Sequence, residues 1–126
     1  MTVLIVEDNA SVRRLITTIV ASVAEEIHEC GDGTSALAAY LEFRPDVVLM
    51  DIEMKTLDGI AATSQIKTAH PAANIVMVTN YDDIELREAA RNAGACGYVL
   101  KNNLLEIEHV LQTLMRSIRA DRSAFC

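Results

Sequence analysis

Four apolar segments of this 126-residue chain each end in polar residues that could take part in chemistry. Those residues are Glu7 and Asp8 after the first segment, Asp51 after the second, Thr79 after the third and Lys101 after the fourth. Carboxylates held close together repel, since two unit charges 4 Å apart interact with about 4 kcal/mol at an effective dielectric of 20. A hard divalent cation such as Mg²⁺ relieves that repulsion, because it prefers oxygen ligands and binds one or two carboxylates beside its waters. We therefore expect a cation site wherever the fold brings these segment ends together.

The four apolar segments are typical of strands in a covered parallel sheet. They are continuous rather than alternating, as strands are when helices cover both faces. A fifth segment mixes polar and apolar residues and indicates an edge strand. The continuous segments are 3–6, 47–50, 75–78 and 98–100, and the mixed segment is 27–30.

Helical patterns follow the strands. Apolar residues between 12 and 23 recur at spacings of three and four, and residues 107–118 repeat that pattern. Three weaker patterns indicate helices over 34–43, 58–69 and 82–93. Asp82 or Asp83 can cap the last of these, and Gly94 stands where it should end.

The alternation of strand and helix predicts an α/β fold with one parallel sheet between two layers of helices, joined by right-handed crossovers. The carboxyl ends of parallel strands lie at one edge of the sheet, where open α/β sheets bind their ligands. The polar residues at the segment ends are therefore predicted to form one pocket, although more than ninety positions separate the first from the last.

Length and charge limit the classes of protein to which the chain can belong. We expect a single domain over residues 1–126, with a core from about 3 to 119. The net charge of −7 argues against direct binding to nucleic acid or to an anionic membrane. No apolar run approaches the roughly 18 residues of a membrane span, and the first residues lack the basic start of a signal peptide. A cytoplasmic location is expected.

The three cysteines form no CxxC pair, and their odd number leaves one over in any disulfide scheme. Cys30 and Cys96 are expected to be small buried hydrophobic residues. Cys126 is the last residue and is expected to be exposed. This usage fits a reducing compartment.

Six short motifs lie at the strand ends and in the loops. They are Val-Glu-Asp at 6–8, Leu-Met-Asp-Ile-Glu-Met at 49–54, Asp58-Gly59, Val78-Thr79, Gly-Ala at 94–95 and Gly-Tyr-Val-Leu-Lys at 97–101. In order and spacing they resemble the response-regulator receiver domains of two-component signalling, from Val3 to about Arg119. The resemblance implies a flavodoxin-like (βα)5 three-layer sandwich with strand order 2-1-3-4-5, in which the ends of the first and third strands lie side by side.

The resemblance also implies that Asp51 is the nucleophile and takes a phosphoryl group from a histidine kinase or a histidine phosphotransfer protein. It implies Mg²⁺, with Mn²⁺ as an alternative, held by Asp8, Asp51 and the backbone carbonyl of Glu53. Glu7 would act through a bound water. Phosphoryl transfer has a loose, charge-spreading transition state, so these residues would act by positioning and charge neutralisation.

Lys101 and the hydroxyl of Thr79 are expected to hold two further phosphoryl oxygens. Tyr98 is expected to be a switch whose ring turns inward when Thr79 follows the phosphoryl group. The surface of the fourth helix, fifth strand and fifth helix would then change toward a downstream partner, in a monomer or in a phosphorylation-dependent dimer. The chain is expected to be either a stand-alone receiver or part of a longer regulator with a DNA-binding domain.

Three residues depart from the family pattern at the rim of the expected site. Lys55 replaces a common Pro and leaves its loop freer, and Asn80 replaces a small Ala or Gly and crowds the entrance. Asn102 replaces the Pro that commonly follows the lysine, so the cis bond usual there is not assured, because a non-proline cis bond costs about 3 kcal/mol. These changes bear on the rates of phosphoryl transfer and hydrolysis, as do Glu53 and Tyr81 at the flanks.

Two other functions fit parts of the pattern. A small aspartyl phosphohydrolase would need Asp-x-Asp after the strand, whereas Asp51 is followed by Ile52 and Glu53, and we expect no cap domain among the predicted elements. An interaction module without phosphorylation would not need the full set of acceptor, metal, hydroxyl and lysine residues. Phosphorylation of Asp51 is therefore the favoured function.

Overall fold

The computed structural model describes the backbone of residues 1–124 and the side chains of residues 1–120. Its elements in chain order are β1 (Thr2–Val6), α1 (Ala10–Val20), β2 (Glu26–Cys30), α2 (Ala36–Phe43), β3 (Val47–Asp51), α3 (Gly59–Ala69), β4 (Ile75–Thr79), α4 (Ile84–Ala93), β5 (Gly97–Leu100), a 3-10 turn (Lys101–Asn103) and α5 (Glu106–Ala124). The five strands are parallel and lie in the order β2-β1-β3-β4-β5. This confirms the predicted flavodoxin-like fold, with β2 at one edge.

The core fills both faces of the sheet, because successive side chains of a strand point to opposite faces. On one face Leu4 of β1 belongs to a cluster with Ile66 of α3, together with residues of α2 and α4. On the other face Ile5 belongs to a cluster with Ile107 of α5, together with residues of α1. Strands β3 and β4 are buried along their whole length, which accounts for their continuous apolar sequence.

Side-chain caps determine where three of the helices begin. Asn9 accepts a hydrogen bond from the main-chain N of Val12 (3.0 Å) at the start of α1, and Asp58 caps α3 in the same way. Asp83 rather than Asp82 caps α4, because its carboxylate accepts from the main-chain N of Glu85 (2.8 Å). The helix therefore begins two residues later than its pattern predicts.

The far end of α4 is closed as the sequence predicts. Gly94 adopts a left-handed conformation with φ of 109°, which is strained for a residue with a side chain. The last helix runs to Ala124, beyond the expected end near Arg119. None of the described peptide bonds is cis, the bond between Lys101 and Asn102 included. No helix within the described residues is long and apolar enough to cross a membrane.

The prediction for the cysteines is confirmed for Cys30, which is buried at the end of β2, and is wrong for Cys96, which is exposed. The main chain of Cys96 joins the sheet, its N–H donating to the carbonyl of Ile75 (2.8 Å), but its side chain lines an open groove. Cys126 lies outside the described residues. The groove has a volume of about 310 Å³ between α4 and β5, and we call it the α4–β5 groove; its lining includes Ile84, Arg87, Arg91, Cys96 and Tyr98.

Candidate functional site

The sheet order brings the predicted acidic residues together. Strands β1 and β3 are neighbours, so Glu7 and Asp8 immediately after β1 lie beside Asp51 at the end of β3. Each of the three offers a carboxylate oxygen, and these oxygens lie within 4.8 Å of one another. They line a cleft of about 420 Å³, which we call the acid cleft. Its rim includes Glu53, which is exposed, and Asn80.

Lys101 supplies a positive charge to the acid cleft. Its Nζ lies 2.8 Å from Oε1 of Glu7 and 3.0 Å from Oδ1 of Asp51. Lys101 follows β5, and β4 lies between β5 and β3, so the lysine side chain reaches over the end of a strand to meet the acids. The Glu7 side chain is 1% exposed, so this ammonium is its counter-charge inside the cleft.

The pKa values of the three groups follow from burial and mutual contact. Burial raises the pKa of Asp51 to about 7, with the neighbouring Glu7 adding to the rise and Lys101 opposing it. Burial also acts to raise the pKa of Glu7, but hydrogen bonds with Asp51 and Lys101 outweigh it and the pKa is lowered. Burial acts to lower the pKa of Lys101, and its hydrogen bonds to the two acids raise it instead. Two buried carboxylates thus compete for one ammonium, and it is Asp51 whose pKa is raised.

The residues present fit a hard divalent cation. The acid cleft offers several carboxylate oxygens at close range, and one lysine does not neutralise Glu7, Asp8 and Asp51 together. Mg²⁺ takes oxygen ligands and keeps several waters, so a partly open cleft suits it. The main-chain N of Glu53 donates to Oδ1 of Asp51 (3.3 Å), which ties the rim loop to the acid at its centre.

The predicted hydroxyl and aromatic residues lie beside the acid cleft rather than in it. Thr79 ends β4 and is fully buried, and it is its neighbour Asn80 that lines the cleft. The Thr79 hydroxyl accepts a hydrogen bond from the main-chain N of Tyr81 (3.3 Å). Tyr98 donates from its hydroxyl to the carbonyl of Tyr81 (2.6 Å), and the guanidinium of Arg87 lies 4.4 Å from its ring centroid. The peptide groups of Tyr81 thus stand between Thr79 and Tyr98.

Sequence reasoning gave no role to three residues that shape the cleft. The main-chain N of Asn9 donates to Oε2 of Glu7 (3.2 Å), and Arg13 donates to the main-chain carbonyl of Glu7 (2.7 Å). Gly59 approaches β3 so closely that an added Cβ would lie 1.9 Å from the carbonyl oxygen of Asp51. The glycine was visible in a motif, but nothing in the helical pattern around Arg13 distinguishes it from a surface arginine.

Comparisons with known proteins cover almost the whole chain. A family profile described as response regulator receiver domain matches residues 3–114. The chemotaxis protein CheY of Halobacterium salinarum is 40% identical over 99 residues, which are 79% of this chain and 82% of that protein. The regulatory protein AtoC of Escherichia coli is 33% identical over 124 residues; the match covers 93% of this chain but 27% of AtoC.

Solved structures share the fold. The crystal structure of a two-component response regulator of the LuxR family from Aurantimonas sp. SI85-9A1 superposes with a TM-score of 0.86 at 27% sequence identity. The superposition covers 92% of this chain and 85% of that one.

Proposed function

The chain belongs to the response-regulator receiver domain family, and from that premise we propose that it is a signalling switch phosphorylated on Asp51. The donor is a histidine kinase or a histidine phosphotransfer protein. One observation carries the proposal: a buried carboxylate whose Oδ1 lies 3.0 Å from a lysine ammonium, at the centre of an acidic cluster. An anion that must bind a second anion needs such positive charge in place beforehand.

The transfer makes one bond and breaks one bond. An oxygen of Asp51 attacks phosphorus, the P–N bond to the donor imidazole breaks, and its electron pair stays on the nitrogen. Lys101 lies where it can pair with a phosphoryl oxygen. Thr79 directly precedes Asn80, which lines the cleft. Asp8, Asp51 and the carbonyl of Glu53 would hold a divalent cation such as Mg²⁺ or Mn²⁺, which would supply further positive charge at the phosphoryl group. Glu7 would act on the cation through a bound water.

The output uses the hydrogen bonds around Tyr81. When the Thr79 hydroxyl turns to a phosphoryl oxygen, it releases the main-chain N of Tyr81, and the carbonyl that holds Tyr98 shifts with that segment. Tyr98 then turns inward and changes the surface formed by α4, β5 and α5. That surface acts on a downstream partner, in a monomer or in a phosphorylation-dependent dimer.

The proposal also covers the extent of the domain, its location and its partners. Residues 1–126 form one receiver domain that works in the cytoplasm and contacts neither nucleic acid nor membrane directly. The partner is a separate protein or a further domain, since the curated relatives include a chemotaxis protein of similar length and a much longer regulatory protein.

Incubation with Mg²⁺ and acetyl phosphate, followed by intact mass measurement, tests the proposal. Wild type should gain one phosphate, and Asp51→Asn should gain none, because the amide is not a nucleophile. Asp58→Asn is the matched control: it makes the same change on an exposed residue, and Asn caps a helix as well as Asp does. The control should be labelled like wild type.

Two outcomes would overturn the proposal. The absence of an adduct on wild type, together with no spectral response to beryllofluoride in Mg²⁺, would leave an interaction module without phosphorylation. Steady release of phosphate from an ester without an accumulating adduct would favour a hydrolase.

A further inference from the structure

Arg13 connects the acid cleft to the edge strand β2. Its guanidinium Nη1 donates to the main-chain carbonyl of Glu7 (2.7 Å), and its Nε lies 3.4 Å from a carboxylate oxygen of Glu29. Glu29 is also held by the hydroxyl of Thr17 (3.3 Å). The Arg13 side chain is 24% exposed, so water competes only in part for these contacts.

The hydrogen bond from Arg13 holds the peptide group between Glu7 and Asp8, directly after β1. The main-chain N of Glu7 still belongs to the sheet, because it donates to the carbonyl of Cys30 (3.0 Å). Its carbonyl belongs to the peptide that joins Glu7 to Asp8, and this is the group that Arg13 holds. Because both the N–H and the carbonyl of Glu7 are held, the direction in which the main chain continues to Asp8 is fixed as well.

We propose that Arg13 is a positioning residue for the cation site: it orients the Glu7–Asp8 peptide and so sets how tightly the acid cleft binds a divalent cation. This inference rests on the proposed function, which gives the acids a cation to hold. Residues that orient metal ligands without touching the metal typically account for 10- to 100-fold in affinity. Arg13 has the place and the hydrogen bond for that role.

A purely electrostatic role of Arg13 makes the opposite prediction. Removing a positive charge near a cation site lowers the repulsion that the cation meets, so Mg²⁺ should then bind more tightly. Loss of positioning should weaken binding instead. The direction of the change therefore separates the two roles.

The test is a Mg²⁺ titration of the amide resonances in ¹H–¹⁵N spectra, which reports affinity and folding together. Arg13→Gln should raise the Kd for Mg²⁺ about 10-fold relative to wild type. Arg14→Gln is the matched control, because Arg14 is the adjacent, exposed residue and its loss changes the charge equally. Its Kd should stay within about two-fold of wild type, or fall slightly.

The conservative pair Arg13→Lys and Arg14→Lys keeps the charge and guards against a variant that fails to fold. A lysine has a single ammonium in place of the planar fork and cannot satisfy Glu7 and Glu29 in the same way. Arg13→Lys should therefore bind Mg²⁺ more weakly than Arg14→Lys, and more tightly than Arg13→Gln where that variant folds.

An Arg13→Gln protein that folds and binds Mg²⁺ as tightly as Arg14→Gln, or more tightly, overturns the inference. So does equal affinity of the two lysine variants. A different result marks failure of the proposed function: wild type itself would show no Mg²⁺-dependent shifts at Asp8 or Glu53 and no adduct with acetyl phosphate.

Discussion

The acid cleft and the α4–β5 groove both hold ion pairs, but they differ in their access to water. In the acid cleft the side chains of Lys101 and Glu7 are 13% and 1% exposed. Beside the groove the paired side chains of Arg87 and Asp82 are 42% and 65% exposed. Removing one partner of a buried pair leaves an uncompensated charge, whereas an exposed pair contributes about 0–1 kcal/mol.

The difference suggests how one small domain can separate chemistry from output. Charges in the acid cleft depend on one another, so the cleft responds strongly when a charge is added or neutralised. Charges around the groove are screened individually, so the surface that faces a partner can vary without disturbing the site. Substitutions that make equal charge changes in the two regions test this contrast.

The largest contrast is expected between Lys101→Met and Arg91→Met. Loss of the lysine ammonium should slow adduct formation with acetyl phosphate about 100-fold, the range seen when one group that stabilises transition-state charge is removed. Loss of Arg91, which lies in the groove and is exposed, should leave the rate within about two-fold. Intact mass against time measures both rates. Similar rates for the two variants would abolish the distinction between the regions.

A smaller effect is expected on stability without metal. The pKa of Asp51 is raised to about 7 in the folded protein, so its contribution to stability is present below its unfolded pKa and is lost as pH rises through about 7. In EDTA at pH 8, the free energy of unfolding of Asp51→Asn should therefore be about 2 kcal/mol higher than that of wild type. This figure is smaller than the full rise in the pKa of Asp51 would give, because the same contact lowers the pKa of Glu7.

Urea denaturation at pH 5 and pH 8 measures this difference. The gap between Asp51→Asn and wild type should be smaller at pH 5, where the wild-type carboxyl is protonated. A gap that is equal at the two pH values, or that reverses at pH 8, would contradict the competition between Glu7 and Asp51 for one ammonium.

The smallest effect is expected in the groove. Arg87→Gln removes both an exposed ion pair with Asp82 and the contact with the ring of Tyr98, and should lower the free energy of unfolding by about 0.5 kcal/mol. The rate of adduct formation should not change beyond two-fold or so. Arg91→Gln controls for the charge. A large loss of phosphorylation in Arg87→Gln alone would show that the groove and the cleft are not energetically separate.

Sequence reasoning located the strands and the polar residues at their ends, because both signals are local. Continuous apolar segments predicted β1, β3 and β4, and the topology of parallel strands then predicted that Glu7, Asp8 and Asp51 meet. Local hydrogen-bonding chemistry also predicted an aspartate cap for α4, though it could not choose between Asp82 and Asp83. That choice depends on backbone geometry at the start of the helix.

The sequence alone determined which residues stand at the carboxyl ends of the strands, because strand, turn and helix preferences depend on neighbouring residues. Only the tertiary structure decided how those residues are used. Packing between elements paired Lys101 with Glu7 and Asp51, placed Arg13 on the main chain of Glu7, and left Cys96 open to solvent. Each of these outcomes depends on how separate strands and helices pack against one another in space, and no local pattern encodes that packing.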